Sequence, residues 1–525
     1  MTGLSSDVTV VEKLTVYCSD ETSLQELESP VVLGPLDHIT QSFTPITVVF
    51  VYRRGGDASA ELVPFDRFRS ALSRLLDYYP HLTGRLAMDP KDRTPRVEQL
   101  GKGVTLLAAE CSEPLAAFEK MVEDDQPPRL VVTNLPDGGN ALLPPFDATA
   151  AGLTHESILA VQHTRFKCGS VSIGFCLRHV ICDACGFFQL ARDLAELYRG
   201  YGDVDYQHLE RAHAVKLSTP PHTRSYMAGL HDVTAEEREE ALKFKPIVFK
   251  ELPTLEDVAA DTDASKRPTP PPPPPPIIGR VLPFSSSELA ALKAEANQTN
   301  PGKPLSTFCV LAAHVWQTVY RARTSVYEAQ GLTSGEAAGR LSRQLLVPID
   351  LRSRDQLAEL PPRYFPNAVL SLVLSLPAAE LLNAHLSKIA EAVRDGIQPQ
   401  NPMDVKKTLR WIVAQPDKSR VLPCFDYEQE GVLVTQWNKF DMYLGAALDV
   451  APALVAQPFT PLSLYSGLAY FMATEGQLTH SGHATGVPSA SVDVSLALSN
   501  RPGILSIKTP FFDVTAREKS SYMVE

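Results

Sequence analysis

The sequence predicts an α/β protein organised as two halves of similar size. Its 525 residues are too many for one ordinary core, and at about 150 residues per domain they leave room for two large domains or three smaller ones. Strand-like and helix-like patterns occur on both sides of a proline-rich midpoint. Hydrophobic residues make up 44% of the chain and charged residues 21%, a composition that excludes wholesale disorder.

Two strand–helix pairs are predicted in the first half. Residues 46–52 are mostly β-branched or aromatic, which is typical of a strand, and apolar residues then recur at helical spacing over 65–76. In the second pair, apolar residues alternate with small or polar ones over 171–178, which predicts a half-buried strand. Residues 187–198 follow with an apolar stripe at helical spacing.

The second half repeats the mixture of helices and strands. A capping box over 285–288 predicts the start of a helix that continues to residue 296. Residues 306–323 predict a long and largely buried helix. Strands are predicted at 345–349 and 368–376, and residues 382–393 carry the spacing of another amphipathic helix.

The midpoint of the chain predicts a linker over residues 251–277. Seven consecutive prolines, 270–276, lack the backbone donor and have a fixed φ, so they favour an extended polyproline II spacer. The predicted N-terminal domain is therefore 1–250 and the C-terminal domain 278–525. A charged stretch from Thr234 predicts an exposed helix before the linker. A proline-binding partner could dock on the run, but a bare linker is the simpler interpretation.

The charge and cysteine content limit the classes of partner and compartment. Lys plus Arg is 49 and Asp plus Glu is 61, so the net charge of −12 argues against a general nucleic-acid binder. No apolar run approaches the roughly 18 to 20 residues of a membrane helix, and no secretory signal is visible. The eight cysteines are spread along the chain, so free thiols and a cytoplasmic location are expected.

One short motif remains after the familiar signatures are excluded. The chain has no G-x-S-x-G, H-E-x-x-H, Walker or G-x-G-x-x-G pattern. Cys182 and Cys185 form a lone C-x-x-C without a second pair, so no metal site is expected. His179 and Asp183 form an H-x-x-x-D at the end of the strand predicted over 171–178.

The position of this motif is compatible with two roles. By strand parity, His179 falls on the same face as the apolar residues of the strand, so its imidazole should leave the sheet toward the interior. A neutral imidazole there can accept a proton from a hydroxyl or an amine. Asp183 could cap the following helix or form an ion pair. Taken alone, the pattern fits a core histidine with an N-cap aspartate better than a catalytic pair.

Segments spread through most of the chain share their order and spacing with one known family. They are Leu36-Asp37, residues 78–86, residues 166–174 followed by His179 and Asp183, residues 305–323, residues 347–354 and residues 361–368. Each segment alone is weak, but together they resemble the BAHD acyl-CoA-dependent acyltransferases. The resemblance is strongest to the fungal branch typified by trichothecene 3-O-acetyltransferase.

The resemblance implies two chloramphenicol-acetyltransferase-like α/β domains with a channel at their interface. Acyl-CoA would enter from one face and the acceptor from the other, and the two would meet at His179. The histidine would act as general base, and the acceptor would attack the thioester directly without a covalent acyl-enzyme. Asp183 would point away from the channel and shape the loop.

The resemblance also implies partners for these two residues. An arginine pairs with the motif aspartate in the family, and Arg352 is the first candidate here, with Arg354 the second. Thr435 and Trp437 resemble the family's T-S-W segment, so they are candidate donors to the developing oxyanion, although both could be ordinary strand residues.

Three departures from the family pattern affect the expected site. Ala184 replaces the glycine after the motif aspartate, and Pro366 replaces the glycine of Y-F-G-N. The second signature, D-F-G-W-G, survives only as the segment beginning at Asp449, which puts CoA handling or domain geometry in doubt. Lys293 and Lys303 are candidates to hold CoA phosphates, with a solvated surface as the alternative.

The leading hypothesis is an acyltransferase that moves an acyl group, by default acetyl, from acyl-CoA to a hydroxyl or amine of a small natural product. No permanently bound cofactor is expected, and neither is a nucleic-acid or membrane partner; the family-based default is a monomer. A condensation-type enzyme using a carrier-protein thioester is the alternative, although Arg178 stands where related condensation domains have a second histidine. A catalytically degenerate binding protein is the third reading.

Overall fold

The structure is a computed structural model in which two large sheets carry helices on their faces. It describes residues 7–38, 44–56, 60–120, 128–201, 216–217, 234–253, 275–298, 302–352, 360–361, 363–398, 402–427, 429–461, 464–478 and 491–500. Two six-stranded sheets, one built mainly from each half of the chain, form the framework. The mixed α/β architecture that the sequence predicts is therefore confirmed.

Strands and helices are interspersed along the described chain. The strands are β1 Val8–Val16, β2 Val31–Val32, β3 Pro45–Tyr52, β4 Arg85–Met88, β5 Pro95–Glu98, β6 Val104–Cys111, β7 Glu119–Lys120, β8 Arg129–Leu130, β9 Leu159–Phe166, β10 Val171–Arg178, β11 Phe249–Glu251, β12 Ile277–Phe284, β13 Gln344–Asp350, β14 Val369–Ser375, β15 Val421–Pro423, β16 Val432–Gln436, β17 Leu454–Ala456, β18 Leu468–Ala473 and β19 Val492–Ser499. The helices are α1 Thr22–Gln25, α2 Pro35–His38, α3 Phe65–Tyr78, α4 Ala150–His155, α5 Ala184–Gly200, α6 Ala235–Lys243, α7 Ser286–Asn297, α8 Thr307–Ala329, α9 Ser334–Arg340, α10 Ala378–Asn383, α11 Leu386–Gly396 and α12 Pro402–Ala414.

The first sheet has the strand order β1-β6-β9-β10-β3-β17. Strand β10 lies antiparallel between β9 and β3, and β6 runs parallel to β9. Helices α3 and α5 contribute their apolar stripes to the core of this sheet. The edge strand β17 comes from the second half of the chain and pairs with β3, so the second half completes the first sheet.

The burial of strand β10 differs from what the sequence predicts. The alternating pattern over 171–178 predicts a half-buried strand, but all eight residues of β10 are buried. The second face is covered by the segment at Leu142 and Leu143, which approaches so closely that any side chain at Gly174 would clash with the carbonyl of Leu142. Limited space under this segment therefore explains Gly174, and the polar residues of β10 do not face water.

The second sheet has the strand order β12-β19-β18-β16-β13-β14. Strand β16 runs parallel to both β13 and β18, whereas the other pairs are antiparallel. The long helix α8 is buried along most of its length, as predicted, and forms the core of this half with α7 and α11.

The amphipathic pattern over 382–393 belongs to two helices instead of one. Leu382 lies in α10, which ends at Asn383, and α11 begins at Leu386. His385 separates them because its backbone is extended, with ψ at 147°, and its side chain accepts a hydrogen bond from the Ser387 N–H. An N-cap starts a new helix there although the apolar spacing continues.

Two capping boxes confirm the predicted helix starts at Ser285 and Thr234, and α6, which follows Thr234, is exposed as expected.

Most of the predicted linker, residues 254–274, lies outside the described residues, so the domain boundaries stay a prediction. In the part of the chain that the structure describes, no helix combines the length and the apolar character needed to cross a membrane.

Candidate active site

The H-x-x-x-D motif forms the connection between β10 and α5. Strand β10 ends at Arg178, and α5 begins at Ala184, so His179 to Asp183 make a short turn at the C-terminal end of β10. The backbone N–H of His179 donates to the carbonyl of Thr44 at 3.2 Å. Asp183 begins α5 as its N-cap, because its Oδ1 accepts from the Gly186 N–H at 3.1 Å.

The imidazole of His179 is held in a mostly enclosed environment. The residue is partly exposed, but its Nδ1 atom is buried and has no hydrogen-bond partner among the described residues. Burial lowers the pKa of His179 because it disfavours the imidazolium; the carbonyls of His179 and Cys182 and the charge of Asp183 oppose this only in part. Burial therefore favours the neutral form of the ring, which is the form that can accept a proton.

Asp183 and Arg352 form a buried ion pair between the two halves of the chain. The Nη2 atom of Arg352 lies 3.0 Å from each carboxylate oxygen of Asp183. Burial alone would lower the pKa of the arginine, but neighbouring anionic groups, Asp183 first, raise it overall. The structure thus places Asp183 beside the first of the two arginines expected from the sequence. Arg354 lies outside the described residues.

Other acceptors complete the coordination of Arg352. Its Nε donates to the carbonyl of Tyr364 at 2.7 Å, Nη1 donates to Asp350 Oδ1 at 2.9 Å, and Nη2 also donates to the carbonyl of Pro366 at 2.7 Å. The proline that replaces the usual glycine at 366 therefore leaves its carbonyl directed at the arginine. A guanidinium with this many acceptors is a rigid joint between its neighbours.

Residues 363–368, which we call the strap, lie along the start of α5. At one end, the Ala368 N–H donates to Asp183 Oδ2 at 2.8 Å. Asn367 Nδ2 donates to the carbonyl of His179 at 3.1 Å and to Asp37 Oδ1 at 2.8 Å. The resemblance gives Asp37 and Asn367 no role. In the structure Asn367 bonds the backbone of His179, and Asp37 in turn accepts from Asn367.

The other end of the strap is fixed to the middle of α5. Arg363 Nη2 donates to the buried carboxylate of Asp193 at 2.8 Å, and Asp193 also accepts from the hydroxyl of Tyr79 at 2.6 Å. Gln189 Nε2 donates to the Arg363 carbonyl at 3.1 Å. The second half of the chain therefore holds α5 at both ends of the strap, and with it the turn that carries His179.

Gly186 sits where the strap comes nearest to α5. Any Cβ there would clash with the carbonyl oxygen of Phe365. We expect Gly186→Ala to push the strap away and destabilise the protein by about 1–3 kcal/mol, measured by denaturant unfolding. Gly339→Ala is the control, because in helix α9 a Cβ at Gly339 meets nothing within 4 Å and should stabilise by up to about 1 kcal/mol. Equal unfolding midpoints for the two variants would contradict the tight contact.

A cavity of about 230 Å³ opens beside the first turn of α5. Ala184 and Cys185 line it together with Thr435 and Trp437, so the structure brings these two predicted donors to the same cavity. Lys439 also lines it, a residue that the sequence reasoning missed. Its position two residues after Trp437 was the available signal, but only the folded chain places that turn at a cavity.

The remaining predicted residues do not line this cavity. Lys293 is exposed on helix α7, and Lys303 is exposed in the connection before α8. The Asp449 carboxylate accepts from Arg67 Nη1 at 2.9 Å, from the Tyr198 hydroxyl at 2.8 Å and from the backbone of Val63 at 2.7 Å. These bonds tie the Asp449 segment to α3 and α5 of the first half, a structural role that does not involve the cavity.

The cysteines of the C-x-x-C motif are free thiols. Burial raises the pKa of both Cys182 and Cys185, so both are protonated at neutral pH. Among the residues that the structure describes, no group of three or more histidine, cysteine or acidic side chains is arranged to hold a metal ion.

Comparison with solved structures shows the fold of the chain. Vinorine synthase superposes with a TM-score of 0.60 at 17% identity, covering 95% of this chain and 98% of that one. TRI101 of F. sporotrichioides, solved in complex with coenzyme A and T-2, gives a TM-score of 0.57 at 14% identity and covers 91% and 96% of the two chains.

Sequence comparison gives the family. An anthranilate N-benzoyltransferase of Dianthus caryophyllus is 27% identical over 348 residues, and the chain spans 66% of its length, just under two thirds. A hydroxycinnamoyl-CoA:5-hydroxyanthranilate N-hydroxycinnamoyltransferase of Avena sativa is 26% identical over 86% of this chain and 87% of its own. The sequence model of a protein family described as "Transferase family" matches residues 6–445 of this chain. The chain therefore belongs to this transferase family, the BAHD acyltransferases.

Proposed function

We propose that the protein transfers an acyl group from acyl-CoA to a hydroxyl or amine of a small natural product. The observation that carries the proposal is the enclosed imidazole of His179, in a turn whose backbone is held by Asn367 and by the Asp183–Arg352 pair. Ala184 and Cys185, which follow this turn, line the cavity, although His179 itself is not among its lining residues. Acetyl is the proposed acyl group. The names of the plant relatives point instead to benzoyl and hydroxycinnamoyl groups for those enzymes, so acyl chain length belongs in the test.

The proposed chemistry is a direct transfer in two steps. Nε2 of His179 accepts the proton of the acceptor O–H or N–H while the oxygen or nitrogen adds to the thioester carbonyl carbon. The resulting oxyanion is stabilised by donors at the cavity, for which Thr435 and Trp437 are the candidates. The carbonyl then re-forms, the C–S bond breaks, and the imidazolium returns its proton to the CoA thiolate. The products are an ester or amide and free CoA.

The other residues receive supporting roles in this proposal. Asp183 and Arg352 keep the His179 turn in place without touching the substrates. Lys293 and Lys303 stay candidates for binding the CoA phosphates, since both are exposed cations. We further propose a cytoplasmic monomer with no permanent cofactor. Membership of the fungal trichothecene 3-O-acetyltransferase-like branch stays a prediction, because the relatives described above are plant proteins.

The pH dependence of kcat/KM follows from the lowered pKa of His179. A general base works in its neutral form, so activity should persist below the ordinary histidine pKa of about 6.5 before it falls in acid. The charge of Asp183 favours the imidazolium, so Asp183→Asn should move this acid limb to still lower pH. The measurement is kcat/KM from pH 4.5 to about 8. An acid limb above pH 6.5 in the wild type would contradict the assignment of an enclosed His179 as the base.

The proposal as a whole is tested by ligand binding followed by turnover. Because a ligand that binds only the folded state raises the melting temperature, CoA, acetyl-CoA and longer acyl-CoAs are compared first. Acyl-CoAs that stabilise the protein are then incubated with a panel of alcohols and amines, and CoA release is measured. Transfer from carrier-protein thioesters alone would favour the condensation-type alternative. Binding of acyl-CoA without turnover of any acceptor by the wild type would favour a degenerate binding protein.

A further inference from the structure

Lys439 is a cation at the wall of the 230 Å³ cavity. It lies in the turn after β16, is exposed, and makes no ion pair with any of the described residues. Its Nζ atom lies 5.2 Å from the centroid of the Phe440 ring. The ammonium group is thus held near the cavity by an aromatic face, and its charge is not neutralised by a carboxylate.

The cavity wall also carries a carboxylate that is bonded to Arg352. Asp350 lines the cavity, but its Oδ1 accepts from Arg352 Nη1 at 2.9 Å and from the Arg352 N–H at 3.1 Å. The charge of Asp350 is only partly offset, because the single positive charge of Arg352 is shared with Asp183. An incoming anion would pair with Lys439, the cation of the described lining.

Flat aromatic surfaces stand next to Lys439. Phe440 stacks on Phe188 with centroids 5.1 Å apart, and Trp437 contacts the same Phe188 edge-to-face at 5.4 Å. Phe308 lines the cavity from the start of α8. Because Phe188 holds two of these rings, they form a fixed surface suited to a planar ring.

We propose that this cavity binds a planar ring that carries an anionic group, with Lys439 pairing with the anion and the aromatic wall contacting the ring. This proposal rests on the proposed function, which supplies two ligands of this kind. An aromatic carboxylic acid acting as acceptor has this chemistry, and so does the phosphorylated adenosine of CoA. Lys439 and the aromatic wall would recognise either ligand in the same way. Pairs of charged and neutral compounds that resemble each ligand distinguish the two.

The test measures binding by titration calorimetry at low salt, so that it does not depend on turnover. The ligands form two pairs, benzoate against benzyl alcohol and adenosine 3′,5′-bisphosphate against adenosine. The proteins are the wild type, Lys439→Met, Lys439→Arg and the control Lys243→Met, which changes an exposed lysine of α6. Removing the ammonium should weaken binding of an anionic ligand about fivefold to tenfold, with the neutral partner unaffected. Lys439→Arg should retain the affinity.

Each outcome decides the proposal. A loss for benzoate alone assigns the cavity to an aromatic acid acceptor, and a loss for the bisphosphate alone assigns it to CoA. The proposal is overturned if neither anion binds the wild type, or if Lys439→Met binds both anions as tightly as the wild type does. A Lys439-dependent anion site in a protein that transfers no acyl group would leave this inference standing while the proposed function fails.

Discussion

His179→Ala should lower kcat by about 10²–10⁴-fold while the affinity for acyl-CoA stays within about twofold of the wild type. The alanine removes the only group proposed to accept the acceptor's proton, so the attacking hydroxyl or amine must lose its proton to water. The thioester still binds because the imidazole is not needed to hold CoA. Steady-state kinetics on an acceptor found by screening gives kcat, and calorimetry gives the affinity.

The control for His179→Ala is His155→Ala, which removes an exposed histidine at the end of α4. This variant should keep the wild-type kcat and melting temperature. The His179 variant should also keep its melting temperature within a few degrees, which separates loss of the base from loss of the fold. Wild-type turnover by a folded His179→Ala protein would rule out the proposed base.

Asp183→Asn should destabilise the protein by about 3–5 kcal/mol, because removing one partner of a buried ion pair leaves the other charge uncompensated. Asp183 and Arg352 are 3% and 4% exposed, so water cannot replace the lost carboxylate. Asparagine can still cap α5 through its amide oxygen, but its NH2 group replaces Oδ2, so the hydrogen bond accepted from the Ala368 N–H is lost together with the charge. Denaturant unfolding measures the loss of stability. The kcat should fall as well, because the ion pair no longer holds the turn that carries His179.

Asp449→Asn is the matched control for Asp183→Asn. Asp449 pairs with Arg67 at 2.9 Å, but the two side chains are 25% and 15% exposed, so solvent screens the pair. The expected cost is about 1 kcal/mol or less. If the two substitutions lower the free energy of unfolding equally, burial does not make the Asp183–Arg352 ion pair more important than a partly exposed pair.

Much of the local structure could be predicted from the sequence. The strand over 46–52 and the helix over 65–76 were recognisable because β-branched runs and helical spacing act within a few residues. Ser285 and Thr234 started helices as predicted, because a capping box is completed within four residues of chain. The same reasoning located His179 and Asp183 between β10 and α5.

Predictions from local sequence pattern were wrong where a segment distant in the chain, or an uncommon helix cap, decided the structure. The alternation in β10 predicts contact with water on one face, but the segment at Leu142 covers that face. The continuous apolar spacing over 382–393 hid the helix start at His385, since a histidine N-cap is an uncommon signal. Lys439 follows Trp437 by two residues, but no local feature indicates that this turn lies at a cavity.

The sequence by itself determined the element types, the helix starts and the order of the motif segments, because each depends on interactions between near neighbours in the chain. Only the tertiary structure decided which parts meet. Arg352 reaches Asp183 across 169 positions, and β17 crosses into the first sheet beside β3. Lys439 comes to the same cavity as the start of α5. These contacts depend on how the strands pair and the helices pack, and a side chain's local pattern carries no information about the partner it will meet.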